Sequence, residues 1–397
     1  MEKVAARISA MAPSATMAMN QATRELKAKG VDVINLSVGE PDFFTPDHIK
    51  SAAKKAIDDN FSFYPPAAGI PELRKAVSEK FKRENNLDYS PDQVIVSAGA
   101  KNSLANVILA LIDKGDEVIV PSPYWVTYVE LVTLAEGKNV IIKGAFENDF
   151  KVTPEQIDAA ITPKTKALLL CSPSNPTGSV YSKDELAAIA KVIEKHPNVF
   201  VITDEIYEHI NFVGAHESIG QFESIKDRCV IINGVSKAYA MTGYRIGYIG
   251  APLWLAKAVA KLQGQLLTGP ATMAQVAAMH ALNEDQTCVK DMLVAFKRRK
   301  DLVINLLSEM DGVEVTNPEG AFYAFPKVSS YFGKSYNGNA IHTSNDLALY
   351  LLNEGHIGTV PGEAFGEPEC IRISFATSDE NLTEAMSRMK AALAKLG

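Results

Sequence analysis

Five stretches of the chain place chemically capable side chains directly after short runs of β-branched or leucine-rich residues. Val94–Val96 runs into Ser97-Ala-Gly-Ala-Lys101, and Glu117–Val120 into Pro121-Ser-Pro-Tyr-Trp125. Ala167–Leu170 leads to Ser172-Pro-Ser-Asn-Pro-Thr-Gly178, Val199–Ile202 to Thr203-Asp-Glu-Ile-Tyr207, and Val230–Ile232 to Asn233-Gly-Val-Ser-Lys237. In an open α/β sheet, ligands bind beyond the carboxyl ends of the strands. A small-residue turn (Gly99, Ala100), an indole, an amide, a carboxylate with a phenol, and an amine would therefore share one sheet edge. Each has an ordinary explanation when taken alone: Gly99 as a turn, Trp125 as core, Lys237 as a solvated surface lysine. Lys101 near a helix start opposes the helix dipole unless an anion lies nearby. The ordinary explanations do not account for the shared location.

The elements that must hold this edge follow from the same pattern. Six runs, the five above and Val140–Ile142, lack alternation and suit strands buried on both faces. Helical patterns lie between several of them, two carrying capping boxes at Thr153–Gln156 and Ser182–Glu185. This predicts an α/β fold with a largely parallel, doubly wound sheet. After Leu282, apolar residues recur at helical spacing from Val289 to Met310, predicting a long helix from near Asp285 that ends at Asp311-Gly312. A closing helix is expected after Ser378, which can cap it. The chain divides into an N-terminal segment, 1–45, packing with a smaller α+β domain, 285–397, and a large ligand-binding domain, 46–284.

Composition removes whole classes of function. The 397 residues carry 40 basic and 47 acidic side chains, a formal charge of −7, which provides no positive field for nucleic acid or an anionic membrane. No apolar run approaches the ~20 residues of a spanning helix, and MEKVAARISA is not a secretory signal. The four cysteines, Cys171, Cys229, Cys288 and Cys370, are widely spaced and read as reduced core thiols of a cytoplasmic protein. No HExxH, GxGxxG or GxxxxGK[ST] occurs. The seven histidines do not cluster, and Glu208-His209 alone lacks metal-site spacing, so no metal is expected.

Ser236-Lys237-Ala-Tyr-Ala-Met241-Thr-Gly243-Tyr-Arg245-Ile-Gly247 resembles the lysine motif of class I pyridoxal-phosphate aminotransferases. Val38-Gly-Glu-Pro-Asp42, Tyr64-Pro-Pro-Ala-Ala-Gly69, Asn175-Pro-Thr-Gly178, Asp204-Glu-Ile-Tyr207 and Cys370-Ile-Arg372-Ile-Ser-Phe375 follow in that family's order. The resemblance covers about residues 10–395 and is most like the bacterial branch of aspartate aminotransferases. It implies fold type I, pyridoxal 5′-phosphate as cofactor, and a homodimer with shared active sites. It also implies a ping-pong transfer from L-aspartate to 2-oxoglutarate, giving oxaloacetate and L-glutamate. By the same resemblance, Lys237 is the Schiff-base lysine and proton shuttle, and Asp204 sits beside the pyridine nitrogen. Tyr207 and Asn175 donate to the ring oxygen, and Trp125 stacks on the ring. Ser236, Arg245 and the turn Gly99–Ala100–Lys101 hold the phosphate, with Tyr64 reaching in from the partner subunit. Arg372 grips the substrate's α-carboxylate near the Gly39 backbone, with Trp125 and Asn175 alongside. Lys101, assisted by Ser14 or Thr16, is the candidate for the distal carboxylate. Aromatic or prephenate-like substrates on the same fold, and a β-lyase, are the alternatives. A ligand-sensing regulator would carry a basic helix-turn-helix segment ahead of this match.

Overall fold

The computed structural model describes residues 4–397. Its centre is a seven-stranded sheet. Across the sheet the strands run Val94–Ser97, Gly247–Gly250, Cys229–Gly234, Phe200–Asp204, Thr165–Cys171, Glu117–Ser122 and Lys138–Lys143. All are parallel except Gly247–Gly250, which lies antiparallel to both of its neighbours. The sequence pattern missed this strand because half of Gly247-Tyr-Ile-Gly250 is glycine. Its glycines admit neighbours that a Cβ would exclude, Tyr89 and Phe81 against Gly250 and the Ala100 backbone against Gly247.

Alternate residues of the strands feed two cores. Val94, Val96, Leu168, Leu170, Val201 and Ile231 pack with Leu73, Val77, Phe81, Ile189 and Ala277 on one face. Ile95, Val118, Val120, Leu169, Ile202 and Ile232 pack with Leu104, Val107, Tyr128 and Val259 on the other. Helices on both faces explain why these strands read as unbroken apolar runs. One expectation is corrected here. Val140–Ile142 lies in the edge strand, where Ile141 is 44% exposed and lysines stand at both ends, a charged sheet edge rather than a doubly buried strand.

Both capping boxes form, with Thr153 Oγ1 accepting from the Gln156 amide and Ser182 Oγ from the Glu185 amide. The long helix runs Thr287–Ser308 and the closing helix Asp379–Leu393, capped by Ser378. Arg298 reaches Asp379 at 2.7 and 2.9 Å. Arg299 makes a two-pronged bond to Asp42 at 2.7 and 2.9 Å, tying the segment ahead of the sheet to the long helix. The short strand Ile34–Asn35 pairs in parallel with Ile357–Gly358. A separate core of Ile34, Leu36, Phe296, Val303, Phe322, Ile373 and Met386 joins these elements. No helix among the described residues is long and apolar enough to cross a membrane. All four cysteines are free; Cys229 and Cys370 are buried, whereas Cys171 and Cys288 are only half-buried, so two of the four are not the core thiols expected.

Candidate active site

The carboxyl ends of the strands open into a cavity of about 280 Å³ that borders the segments after five strands, the N-terminal segment, and the small sheet carrying Tyr323 and Arg372. Ala100, Lys101, Trp125, Asn175, Asp204, Tyr207, Ser236, Lys237, Arg245, Gly39, Arg372, Ser14 and Thr16 all line it. Gly99 sits directly behind, as the N-cap of the helix Ala100–Leu111. Its φ of +88° suits glycine, and a Cβ there would lie 2.4 Å from the Arg245 guanidinium. The turn thus brings a helix N-terminus and an arginine together, the pairing that holds a phosphate. Tyr64 is the exception. It is 91% exposed and lies away from the cavity, in a shallow hollow with Phe61, Phe63 and Met273.

Asp204 ends its strand with the carboxylate buried, held by the Tyr128 hydroxyl at 2.8 Å and the Ile206 amide at 3.3 Å. Burial raises its pKa to about 6, with those two donors opposing the shift. A buried carboxylate in this condition calls for a cationic partner from the cavity side. The Lys237 amine donates to the Gly39 carbonyl at 2.5 Å. Burial lowers its pKa to about 8; Glu40 opposes the shift, and Arg372 and Arg245 add to it. A lysine so depressed is partly neutral near pH 8, as a nucleophile or base requires.

Arg372 is 2% exposed. It donates to Asn175 Oδ1 at 2.9 Å and to the Ser37 carbonyl at 2.7 Å, and stacks on Tyr323 at 4.5 Å and Phe365 at 5.0 Å. Its Nε is buried without a protein partner, leaving donor capacity for a carboxylate. The Lys101 ammonium lies 4.8 Å from the Trp125 ring centroid, and burial, with Arg245 adding, lowers its pKa. The Thr16 hydroxyl also lacks a protein partner, whereas Ser14 Oγ already accepts from the Met17 amide.

Sequence reasoning missed Tyr128, Tyr323, Glu40 and Thr242, which touch the expected residues rather than standing at strand ends. Glu40 and Thr242 hydrogen-bond to each other across the mouth. Also missed was the reverse side of Asp204–Glu208. Glu205 accepts from Ser218 at 2.7 Å, while Glu208 pairs with the fully buried Lys80 and accepts from Asn85 at 2.6 Å. Burial pushes the Glu208 carboxyl up, but Lys80 overrides this and, with His209 and His216, holds it well below the carboxylate range. Glu205, Glu208 and His216 approach one another closely enough to share a metal, as do Glu84, Glu208 and His209, although the sequence spacing suggested no such grouping. The Lys80 ammonium already supplies Glu208 with a cation. The pair braces the backbone between Asp204 and Tyr207 from behind. Glu208→Gln removes the nearer counter-charge of the buried Lys80 and leaves only Glu84, 3.6 Å away, so a loss of about 2–3 kcal/mol is expected in denaturant unfolding.

A family model described as aminotransferase class I and II matches residues 31–389. A protein named probable aspartate/prephenate aminotransferase from Rickettsia bellii is 46% identical over 100% of both chains. An aspartate/prephenate aminotransferase from Cereibacter sphaeroides is 47% identical over 97% of each. Among solved structures, the aspartate aminotransferase of Rhizobium meliloti superposes with a TM-score of 0.96 at 43% identity, covering 100% of both chains. That of Thermus thermophilus with maleate superposes at 0.93 and 41% identity, covering 99% of this chain and 100% of that one.

Proposed function

The chain belongs to the class I and II aminotransferases, and from that premise we propose that it uses pyridoxal phosphate to move the amino group of L-aspartate to 2-oxoglutarate. One observation carries the reading: a single cavity gathers a depressed lysine, a buried carboxylate and a buried arginine with a free donor, together with a second cation, Lys101. The residues fit the cofactor. Asp204 offers the buried negative charge that a pyridinium nitrogen answers, and Gly99 with Arg245 forms a phosphate cradle that a Cβ would fill. When bound, pyridoxal phosphate supplies an electron sink that acidifies the substrate's Cα–H.

The protein's part is attachment, orientation and proton movement. Lys237 would hold the cofactor through its nitrogen, and its free amine would take the Cα proton as base and return it as acid. Asp204 would keep the ring nitrogen protonated, and Tyr128 holds the Asp204 carboxylate in place. Tyr207 and Asn175 line the cavity and would donate to the ring oxygen, and Trp125 would provide a stacking face. Arg372 fixes the α-carboxylate by two parallel donors, which sets the direction of the Cα–H.

The distal acid falls to Lys101 with Thr16 and Ser14. The Thermus relative's complex with maleate, a dicarboxylate, supports this preference. Lys101→Ala is expected to reduce kcat/KM for aspartate and glutamate roughly 10–100-fold, with alanine and phenylalanine changed far less. Equal losses across that panel would remove Lys101 from substrate recognition. The names of the Rickettsia and Cereibacter relatives favour prephenate as a second amino acceptor, to be tested in the same panel. We place the working form as a homodimer, because Phe44, Phe63 and Tyr64 stand 83–91% exposed and a second copy would give Tyr64 a phosphate to reach.

A further inference from the structure

We propose that Tyr323 is a positioning residue that donates its hydroxyl proton to Tyr207 and so aligns Tyr207 as a donor into the cavity, an inference that rests on the aminotransferase reading above. The two phenolic oxygens lie 2.8 Å apart, and both side chains are buried and border the cavity. Neither hydroxyl has another hydrogen-bond partner among the described residues. Each phenol carries one proton, so the bond between them uses one and leaves one. If Tyr207 gives its proton to an oxygen in the cavity, the bond between the two phenols has to be donated by Tyr323.

Packing holds the pair in this arrangement. The Tyr323 ring packs against the Arg372 guanidinium at 4.5 Å and the Phe322 ring at 4.8 Å. Tyr207 meets Tyr323 and Phe322 edge-on, at 5.8 and 5.4 Å. A Cβ at position 39 would lie 2.3 Å from the Tyr323 oxygen, so the glycine there clears the space this hydroxyl occupies. In a buried site, accepting a bond from Tyr323 polarises the Tyr207 O–H and strengthens its own donation. A stronger donor on an anionic ring oxygen draws charge from the neighbouring Lys237 nitrogen, which then loses its proton at lower pH. Tyr323 thus joins the carboxylate clamp at Arg372 to the group that tunes Lys237.

The test is a visible-absorption pH titration of the chain loaded with pyridoxal phosphate, as wild type, Tyr323→Phe, Tyr207→Phe and the double variant. Tyr323→Phe is expected to raise the titration midpoint by roughly 0.5–1 unit, and to add nothing in the Tyr207→Phe background. It should lower kcat roughly 3–10-fold while leaving KM for aspartate nearly unchanged, because the ring beneath Arg372 remains. An unchanged midpoint, or the same shift in both backgrounds, overturns the relay. A wild-type chain with no visible band contradicts the aminotransferase reading instead. Should Tyr323→Phe fail to fold, Gly39→Ala, whose methyl crowds the Tyr323 oxygen, is expected to shift the midpoint in the same direction; no shift there also overturns the relay.

Discussion

Lys237→Ala is expected to lower transamination by roughly 10⁴-fold or more and to remove the pH-dependent visible band expected of the loaded protein. No other amine takes its place. Lys101 is the other lysine lining the cavity, and it sits over Trp125 near Arg245 rather than beside Gly39. Loss of Lys237 removes both the group that holds the cofactor and the group that moves the proton. The defect should therefore appear in kcat even when cofactor and aspartate are saturating. Stopped-flow absorbance on mixing with aspartate would separate the two roles. Retained activity in this variant would contradict the whole chemical assignment.

Asp204→Asn combines two effects of opposite sign. Activity should fall roughly 10²–10⁴-fold, because a neutral amide does not keep the ring nitrogen protonated. The cofactor-free protein should at the same time become more stable. Burial raises the Asp204 pKa from 3.8 to about 6, so the charged carboxylate opposes folding. That penalty grows as pH rises from the unfolded value through about 6 and is fully present above it. Asparagine removes the charge, but its single oxygen can accept from only one of the Tyr128 hydroxyl and the Ile206 amide, so the net gain is on the order of 1 kcal/mol near pH 8 and disappears below about pH 4. Denaturant unfolding of the cofactor-free variant at both pH values measures it. A variant that loses activity and also loses stability at pH 8 would show that Asp204 is structural. Such an exchange of stability for activity is common where a site is built for a partner that the bare protein lacks.

The sheet and its reactive edge were legible because they rest on local patterns. Parallel strands covered on both faces read as apolar runs, and each run stops where the backbone turns toward the ligand. The long helix and the caps at Thr153, Ser182 and Ser378 were legible for the same reason. What escaped depends on distant pairings. Gly247–Gly250 carries too little side chain for a strand pattern, and its place comes from the neighbours its glycines admit. Val140–Ile142 has the apolar content of an inner strand, but only the order of the sheet makes it an edge. Tyr323 and Tyr128 sit in ordinary aromatic positions; their hydroxyls matter because folding brings them to Tyr207 and Asp204, 116 and 76 residues away. Lys80 would be taken for a solvated helix lysine, yet it is fully buried against Glu208. Tyr64 is 91% exposed and lies away from the cavity, so the phosphate role proposed for it requires a second copy.

The most direct test of the central claim is the visible spectrum of purified protein with added pyridoxal phosphate, recorded before and after aspartate and then after 2-oxoglutarate. The account predicts a band that forms on loading, shifts toward the amine form of the cofactor with aspartate, and returns with 2-oxoglutarate. A band that forms but ignores aspartate would contradict the dicarboxylate assignment built on Lys101 and Arg372, and no band would contradict the site itself.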